Sequence, residues 1–130
     1  MLNSNVFDYI NVLDKAADAS WIRNEVIANN IANATTPGYK RQDVSFEEEL
    51  KKALGINRFE SMDSKVANVD LGSLNPMPYL DYAGGYAYRL DSNNVDPEME
   101  NVMLAENQMK YQGLINSIDQ EFKNLQTVIK

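Results

Sequence analysis

Apolar residues recur every three or four positions over two long stretches, one at each end of the chain. The first stretch runs from Val6 to Asn33. This spacing predicts a helix that packs against a partner helix, and at 1.5 Å per residue the helix is about 40 Å long. Its apolar stripe comprises Val6, Ile10, Leu13, Ala17, Ser20, Asn24, Ile27 and Ile31.

Two polar residues, Ser20 and Asn24, interrupt that stripe. In one interpretation the stripe is locally hydrated at this point. In the other, a buried asparagine fixes the register of the helix pair at some cost in stability. The sequence leaves both interpretations open.

The second stretch opens with residues that start helices. Asp96 can accept hydrogen bonds from free N–H groups, and Pro97 suits the first helical position. Glu98 and Glu100 favour the positive end of the helix dipole. Gly113 either allows a close helix neighbour or weakens the helix, by about 1 kcal/mol relative to Ala. The stripe of this helix comprises Leu104, Asn107, Tyr111, Leu114, Ile118, Phe122, Leu125 and Ile129.

The segment from Pro37 to Asn94 is the least regular part of the chain. Ser45 and Glu48 have the spacing of a capping box, which predicts a short helix over residues 45–54. In YLDYAGGYAYRL, the Gly84-Gly85 pair predicts the tight turn of a β-hairpin.

The predicted fold class is therefore mainly α. Two long terminal helices pair as an antiparallel coiled coil, and an irregular middle segment contains a short β-hairpin. The predicted segments are the two helical ends, 1–36 and 95–130, and the middle region, 37–94. Because one helix contact covers only one side of each stripe, we expect an isolated monomer of low helicity that becomes ordered by assembly.

Charge and hydropathy exclude several functions. With 12 basic and 19 acidic residues the net charge is -7, and no basic run is present to bind nucleic acid or an anionic membrane surface. The longest apolar run, residues 102–105, is far too short to span a bilayer. The first residues lack the basic start of a Sec-type signal, so we expect none to be cleaved.

The chain contains neither cysteine nor histidine, which removes most nucleophilic and zinc chemistry. The carboxylates of Glu47, Glu48 and Glu49 precede Lys51 and Lys52 at the spacing of surface ion pairs, which favours a solvated helix face. The string DSNNVD at 91–96 lacks the turn glycine and other ligands of a calcium loop. We therefore expect no enzyme activity, cofactor or metal.

The string ANNIANATTPGYKR, residues 28–41, marks the end of the first helix. Asn29, Asn30 and Asn33 can bind the unpaired carbonyls of its last turn. Pro37 and Gly38 fit the second and third positions of a type II turn, in which the third residue needs a positive φ. Tyr39 then leaves the turn as an anchor.

This string resembles the N-terminal signature of the bacterial flagellar axial proteins, the family of rod, hook and hook-associated subunits. The matching residues are Asn29, Asn30, Ile31, Ala32, Asn33, Thr36, Pro37, Gly38, Tyr39 and Lys40. The short chain and the string NQMKYQGLINSI at 107–118 resemble the proximal rod proteins of FlgB type. A FlgC-type rod protein is the alternative within the family.

The resemblance implies a structural subunit of the periplasmic flagellar rod, a hollow shaft that transmits torque and passes exported proteins. It implies export through the flagellar type III apparatus, and as partners other rod subunits, the adaptor between the MS ring and the rod, and the export gate. The helix residues expected to assemble are Val6, Ile10, Leu13, Ile27, Ile31, Leu104, Asn107, Gln108, Tyr111, Gln112, Leu114, Ile118, Phe122, Leu125 and Ile129.

Two alternatives come from other classes of protein. One is a secreted flagellar adaptor or regulator that shares the helical signature. The other is a sugar-binding or peptidoglycan-acting protein that uses Tyr86 and Tyr88 together with the carboxylates of Asp81 and Asp91.

Overall fold

The computed structural model of the protein describes residues 5–55, 59–82 and 89–130. The predicted mainly α class is confirmed over these ranges. The elements in chain order are the helix α1 Asn5–Ala32, the strand β1 Gln42–Val44, the helices α2 Glu47–Leu54 and α3 Met62–Ala67, the strand β2 Pro78–Leu80 and the helix α4 Pro97–Ile129. Within the described ranges, no helix is long and apolar enough to cross a membrane.

The two long helices pack against each other and run in opposite directions. Asn30 near the end of α1 contacts Glu100 at the start of α4, whereas Trp21 contacts Tyr111 further along α4, with ring centroids 6.2 Å apart. Later residues of α1 therefore contact earlier residues of α4, as in an antiparallel helix pair. The regular side-chain interdigitation of a coiled coil is a finer prediction, and it stays a prediction.

Burial follows the predicted stripe closely in α1 and fades along α4. The α1 positions Ile10, Ala17, Ser20 and Ile27 are buried, and Leu13, Asn24 and Ile31 are half-buried, while the side chain of Val6 lies outside the description. On α4, Asn107 is buried, and the half-buried positions are Leu104, Tyr111, Leu114, Ile118 and Leu125. The exposed α4 positions are Gln108, Gln112, Phe122 and Ile129. We call the end of the pair where α1 begins and α4 ends the far end. The far end is thus only partly covered.

The two strands form a small antiparallel sheet in which Gln42 lies opposite Leu80 and Val44 opposite Pro78. Because α2 and α3 lie between the strands in sequence, this sheet is not the predicted hairpin. Pro78 lacks an N–H group and therefore suits an edge strand. The predicted turn and most of its second strand, with Gly84, Gly85, Tyr86 and Tyr88, lie outside the described residues. Leu90, at the described end of that strand, is exposed and belongs to no strand.

The short middle helix is confirmed, but its predicted capping box is wrong. Helix α2 begins at Glu47, and Phe46 occupies the N-cap position without a side-chain cap bond. The Phe46 ring is buried with Ala19 of α1 and Leu74. Burial of this ring places the N-cap at Phe46, one residue after Ser45. The Ser45 hydroxyl therefore does not cap the helix.

Candidate functional site: a polar junction at the chain turn

The predicted turn after α1 has the required geometry. Gly38 has a φ of +72°, and the Tyr39 amide donates to the Thr36 carbonyl at 3.3 Å. The Gly38 amide donates to the carbonyl of Asp91 at 2.7 Å. The segment before α4 is therefore hydrogen-bonded to the turn. The Lys40 ammonium donates to the carbonyl of Ser92 in the same segment.

The unpaired carbonyls at the end of α1 bind asparagines from two parts of the chain. As predicted, the Asn33 side chain donates to the Asn29 carbonyl at 2.8 Å. The buried amide of Asn93, however, reaches the carbonyls of Asn33 at 2.9 Å, Ala34 at 3.2 Å and Thr36 at 2.8 Å. The end of α1 is therefore capped mainly by a residue close to the start of α4.

Asn30 does not cap its own helix, contrary to the prediction. Its side chain is fully buried and donates to the Gln42 carbonyl at 2.8 Å, while its oxygen accepts from the Gln42 amide at 3.0 Å. The Asn30 side-chain nitrogen also donates to Glu100 at 3.2 Å, and the Tyr39 hydroxyl donates to the Asn30 oxygen at 3.2 Å. Because it faces β1, Asn30 links the last turn of α1 to the sheet and to α4.

Arg41 is the centre of the buried polar contacts. Its guanidinium donates to Glu100 at 2.5 Å, to Asp81 at 2.7 Å and to Asp43 at 3.1 Å. The planar fork of arginine can serve several carboxylates at once, which lysine cannot do. One side chain thereby joins β1, the end of β2 and the first turn of α4.

Burial and pairing act on Arg41 in opposite directions. Burial disfavours its charged form, but the hydrogen bond to Glu100 and the surrounding carboxylates outweigh burial and raise the pKa of Arg41. Glu100 is only 1% exposed, and its carboxylate forms an ion pair with Arg41 in addition to lying near the N-terminus of the α4 dipole. Loss of Arg41 would leave the Glu100 carboxylate as a buried charge without a cation.

Asn94 completes the connection through the backbone. Its oxygen accepts from the Arg41 amide at 2.6 Å, and its nitrogen donates to the Asp81 carbonyl at 2.8 Å. We term the set Asn30, Arg41, Asn93, Asn94 and Glu100 the junction. The junction ties together the end of α1, the sheet and the start of α4, whose predicted cap is confirmed by bonds from the Glu98 and Met99 amides to Asp96.

Asn107 forms a second buried polar contact between the long helices. Its amide donates to the Ser20 carbonyl at 2.8 Å and to the Asn24 side chain at 2.9 Å. Its own oxygen is buried and has no hydrogen-bond partner among the described residues. Since Ser20 and Asn107 are both buried, the contact favours the register interpretation over a hydrated stripe.

Glu47 has different partners from those predicted. It accepts from Arg23 of α1 at 2.8 and 2.6 Å and pairs with Lys110 of α4, whereas Lys52 pairs with Glu49 at 3.0 Å. The Arg23 hydrogen bond holds the pKa of Glu47 well below its usual range. Glu47 is thus a bridge between three helices rather than part of a purely solvated face.

The sequence gives only a weak signal for several of these residues. The predicted motif ends at Lys40, one residue before Arg41, and Glu100 is separated from it by more than fifty positions. The Asn93-Asn94 pair before the cap of α4 is a second asparagine cluster, comparable to Asn29-Asn30. Side-chain spacing within one segment does not reveal that the two clusters meet.

Comparison with known proteins decides the family. The family described as "Flagella basal body rod protein" matches residues 10–40, which include most of α1 and the turn. The chain is 34% identical over 117 residues to the flagellar basal body rod protein FlgB of Bacillus subtilis (strain 168), covering 90% of this chain and 89% of the relative. This chain belongs to the FlgB-type flagellar basal body rod proteins.

Other FlgB relatives match at similar levels. The protein from Borrelia hermsii is 35% identical over 136 residues, covering 97% of this chain and 99% of the relative. The protein from Escherichia coli (strain K12) is 34% identical over 116 residues, with 83% of each chain covered. Because the alignments cover most of both chains, FlgB-type membership applies to the terminal helices and the middle region together. The chain is accordingly a structural subunit of the flagellar rod.

Proposed function

We propose that this FlgB-type chain is a structural subunit of the proximal rod of the bacterial flagellar basal body, and that it assembles through its terminal helices. The junction is the observation that carries this proposal. It fixes where α1 ends, how the chain turns outward and where α4 begins. Every subunit therefore presents the same surfaces to its neighbours, which a helical assembly requires.

The far end of the helix pair supplies the assembly surface. Large apolar side chains there are exposed, among them Phe7 at 51% and Ile129 at 77%. Burial of such surface contributes about 25 cal/mol per Å². The helices expose further large apolar residues towards the far end, in the middle of the pair and beside the junction: Ile115, Phe122 and Val128, then Trp21 and Met109, then Met99 and Val102. Packing of these residues against neighbouring subunits would complete a core that one chain leaves open.

In the proposed rod, residues 1–36 and 95–130 form the inner tube wall, and residues 37–94 reach outward. The hollow tube transmits torque and lets exported proteins pass. Its partners are other rod subunits, with the adaptor of the MS ring and the export gate at the rod base. The chain reaches this periplasmic position through the flagellar type III export apparatus.

The role is structural rather than enzymatic. Arg41 is bound to the carboxylates of Asp43, Asp81 and Glu100, and Asp91 is engaged by Arg89 and by the Asn93 amide. Asp81, which the sugar-binding alternative needs, is held by Arg41. These contacts support a role for the carboxylates in holding the chain turn.

Electron microscopy of basal bodies from a strain with an in-frame deletion of this chain tests the proposal. We expect rings without a rod, and restoration of rods by the wild-type chain but not by a chain lacking residues 28–42. An Arg41→Ala chain should restore rods poorly, whereas Lys123→Ala, which breaks an exposed ion pair with Asp119, should restore them fully. Intact rods in the deletion strain would contradict the proposal and favour the adaptor alternative.

A further inference from the structure

A groove of about 840 Å³ lies beside the junction, between the small sheet, the start of α2 and the middle of α4. Glu48 of α2 and Glu106 of α4 are among the residues that line it, and both are exposed. The groove is open to solvent along the side of the molecule and is lined by polar and apolar groups. Its charge and its apolar residues together indicate the kind of segment that would fill it.

The groove carries more acidic than basic groups. Four carboxylates line it, from Asp43, Glu47, Glu48 and Glu106, against two cations. Both cations, Arg23 and Lys110, are bound to Glu47, and Asp43 is bound to Arg41. Within the described part of the chain, Glu48 and Glu106 are left without a hydrogen bond or ion pair. The groove therefore has two carboxylates available to an incoming cation.

Apolar side chains occupy the sheet side of the same groove. Met77 is 67% exposed and Tyr79 is 46% exposed, with Pro78 between them. Methionine adapts its shape to different partners, and tyrosine offers an apolar ring with a polar end. An occupant that combines apolar side chains with lysine or arginine would match both walls.

A second copy of this chain does not supply such a segment. The chain carries a net charge of -7, and adjacent basic residues occur only as Lys40-Arg41 and Lys51-Lys52. The first pair is engaged in and beside the junction, and the second follows three glutamates. Charge complementarity thus favours a different protein.

We propose that this groove binds a basic, partly apolar segment of a different protein that neighbours this chain in the flagellar rod. The inference rests on the proposed function, because the rod places neighbouring proteins in contact. It goes further by naming the surface and the chemistry of its occupant. The lysine or arginine groups of the segment would lie between Glu48 and Glu106, and its apolar side chains would contact Met77 and Tyr79.

Site-specific photo-crosslinking in the full chain tests this inference. A benzophenone amino acid replaces Met77, basal bodies are purified and irradiated, and the crosslinked peptide is sequenced by mass spectrometry. We expect the crosslinked peptide to come from another protein and to contain about two or more lysines or arginines, which would pair with the carboxylates of Glu48 and Glu106. A crosslink to a second copy, to a segment without basic residues, or to nothing in rods that contain the chain would overturn the inference.

Charge reversal provides the matched control. Glu48→Lys with Glu106→Lys should reduce the crosslink yield per incorporated chain by about tenfold, because two cation contacts are replaced by repulsion. Asp14→Lys with Asp18→Lys makes the same change of net charge at exposed α1 positions outside the groove and should leave the yield unchanged. Equal yields from both double variants would overturn the inference.

The assay also separates this inference from the proposed function. Absence of the chain from purified basal bodies contradicts the proposed function and the inference with it. Presence of the chain without the expected crosslink contradicts the inference alone. If the double reversal keeps the chain out of basal bodies, the peptide crosslinked from Met77 in the otherwise unchanged chain decides the outcome.

Discussion

The two ends of the helix pair are stabilised in different ways. At the junction, buried polar groups from distant segments bind one another, with Arg41, Asn30 and Glu100 all nearly or fully buried. At the far end, the helix pair is incompletely covered, and Phe122 and Val128 remain exposed. Polar contacts need specific geometry, whereas apolar contacts adapt to whatever surface covers them.

This difference suggests a division of tasks within the subunit. The junction determines the direction of the chain where α1 ends and α4 begins. The far end leaves apolar surface for neighbouring subunits. This surface is buried in the assembly but is exposed to water in an isolated monomer. Substitutions at the two ends should consequently have different effects on the free energy of the isolated chain.

The largest effect is expected from Arg41→Ala. This substitution leaves Glu100 as a buried charge without its main partner, so it should destabilise the junction by about 3–5 kcal/mol. Amide hydrogen exchange at Gln42 and Asp81 measures the loss locally. Lys52→Ala removes an exposed pair with Glu49 away from the junction and serves as the control. A loss below about 1 kcal/mol for Arg41→Ala would mean that the ion pair is not important for the junction.

A smaller effect is expected from Asn93→Ala. The substitution removes the donors that bind three carbonyls at the end of α1, and a buried unpaired carbonyl costs about 1–3 kcal/mol. Exchange rates of the amides of residues 33–36 and of Gly38 report the change. Asn101→Ala removes an exposed bond to the Pro97 carbonyl and should change stability little. Equal effects of the two variants would contradict a special role for Asn93.

Two glycines offer a direct comparison of the two regions. Gly38→Ala forces a side chain into the left-handed region and should cost about 1–2 kcal/mol. Gly113→Ala should stabilise α4 by about 1 kcal/mol, because Gly113 is helical and open space surrounds it within the chain. Thermal unfolding followed by circular dichroism measures both shifts. If both substitutions shifted the melting temperature in the same direction, the difference between a left-handed turn glycine and an open helical glycine would be contradicted.

The smallest effect is the response to acid through Glu47. Its pKa in the folded chain lies below the value of about 4.3 in an unfolded chain, so its contribution is present at neutral pH. That contribution is lost as the pH falls below about 4.3 towards the folded pKa. Because the side chain is half exposed, the loss is modest. Glu47→Gln should flatten the acid limb of a stability–pH curve measured by thermal unfolding, and an unchanged acid limb would contradict this role of Glu47.

Much of the fold could be predicted from local patterns. The stripe of α1, the Asp96-Pro97 start of α4 and the Pro37-Gly38 turn each depend on neighbouring residues, and each has the predicted structure. Local patterns failed where distant contacts decide. The burial of Phe46 moved the start of α2, and no local pattern indicated that β2 pairs with β1 across the intervening helices α2 and α3.

The candidate site was predicted only in part for the same reason. Charged residues are mostly exposed, so the position of Arg41 after a turn gives no sign that its side chain is buried. Arg41 and Glu100 become a pair only once α1 and α4 lie side by side. The Asn107 contact with Ser20 was closer to prediction, because both residues interrupt apolar stripes.

Amide hydrogen exchange of the chain, free in dilute solution and within purified basal bodies, tests the central claim most directly. We expect the amides of Gly38, Arg41 and Gln42 at the junction to be protected in both states. The far ends of α1 and α4 should be protected only in the basal body. Full and equal protection of both long helices in the free chain, or an unprotected junction in the assembled rod, would contradict the account.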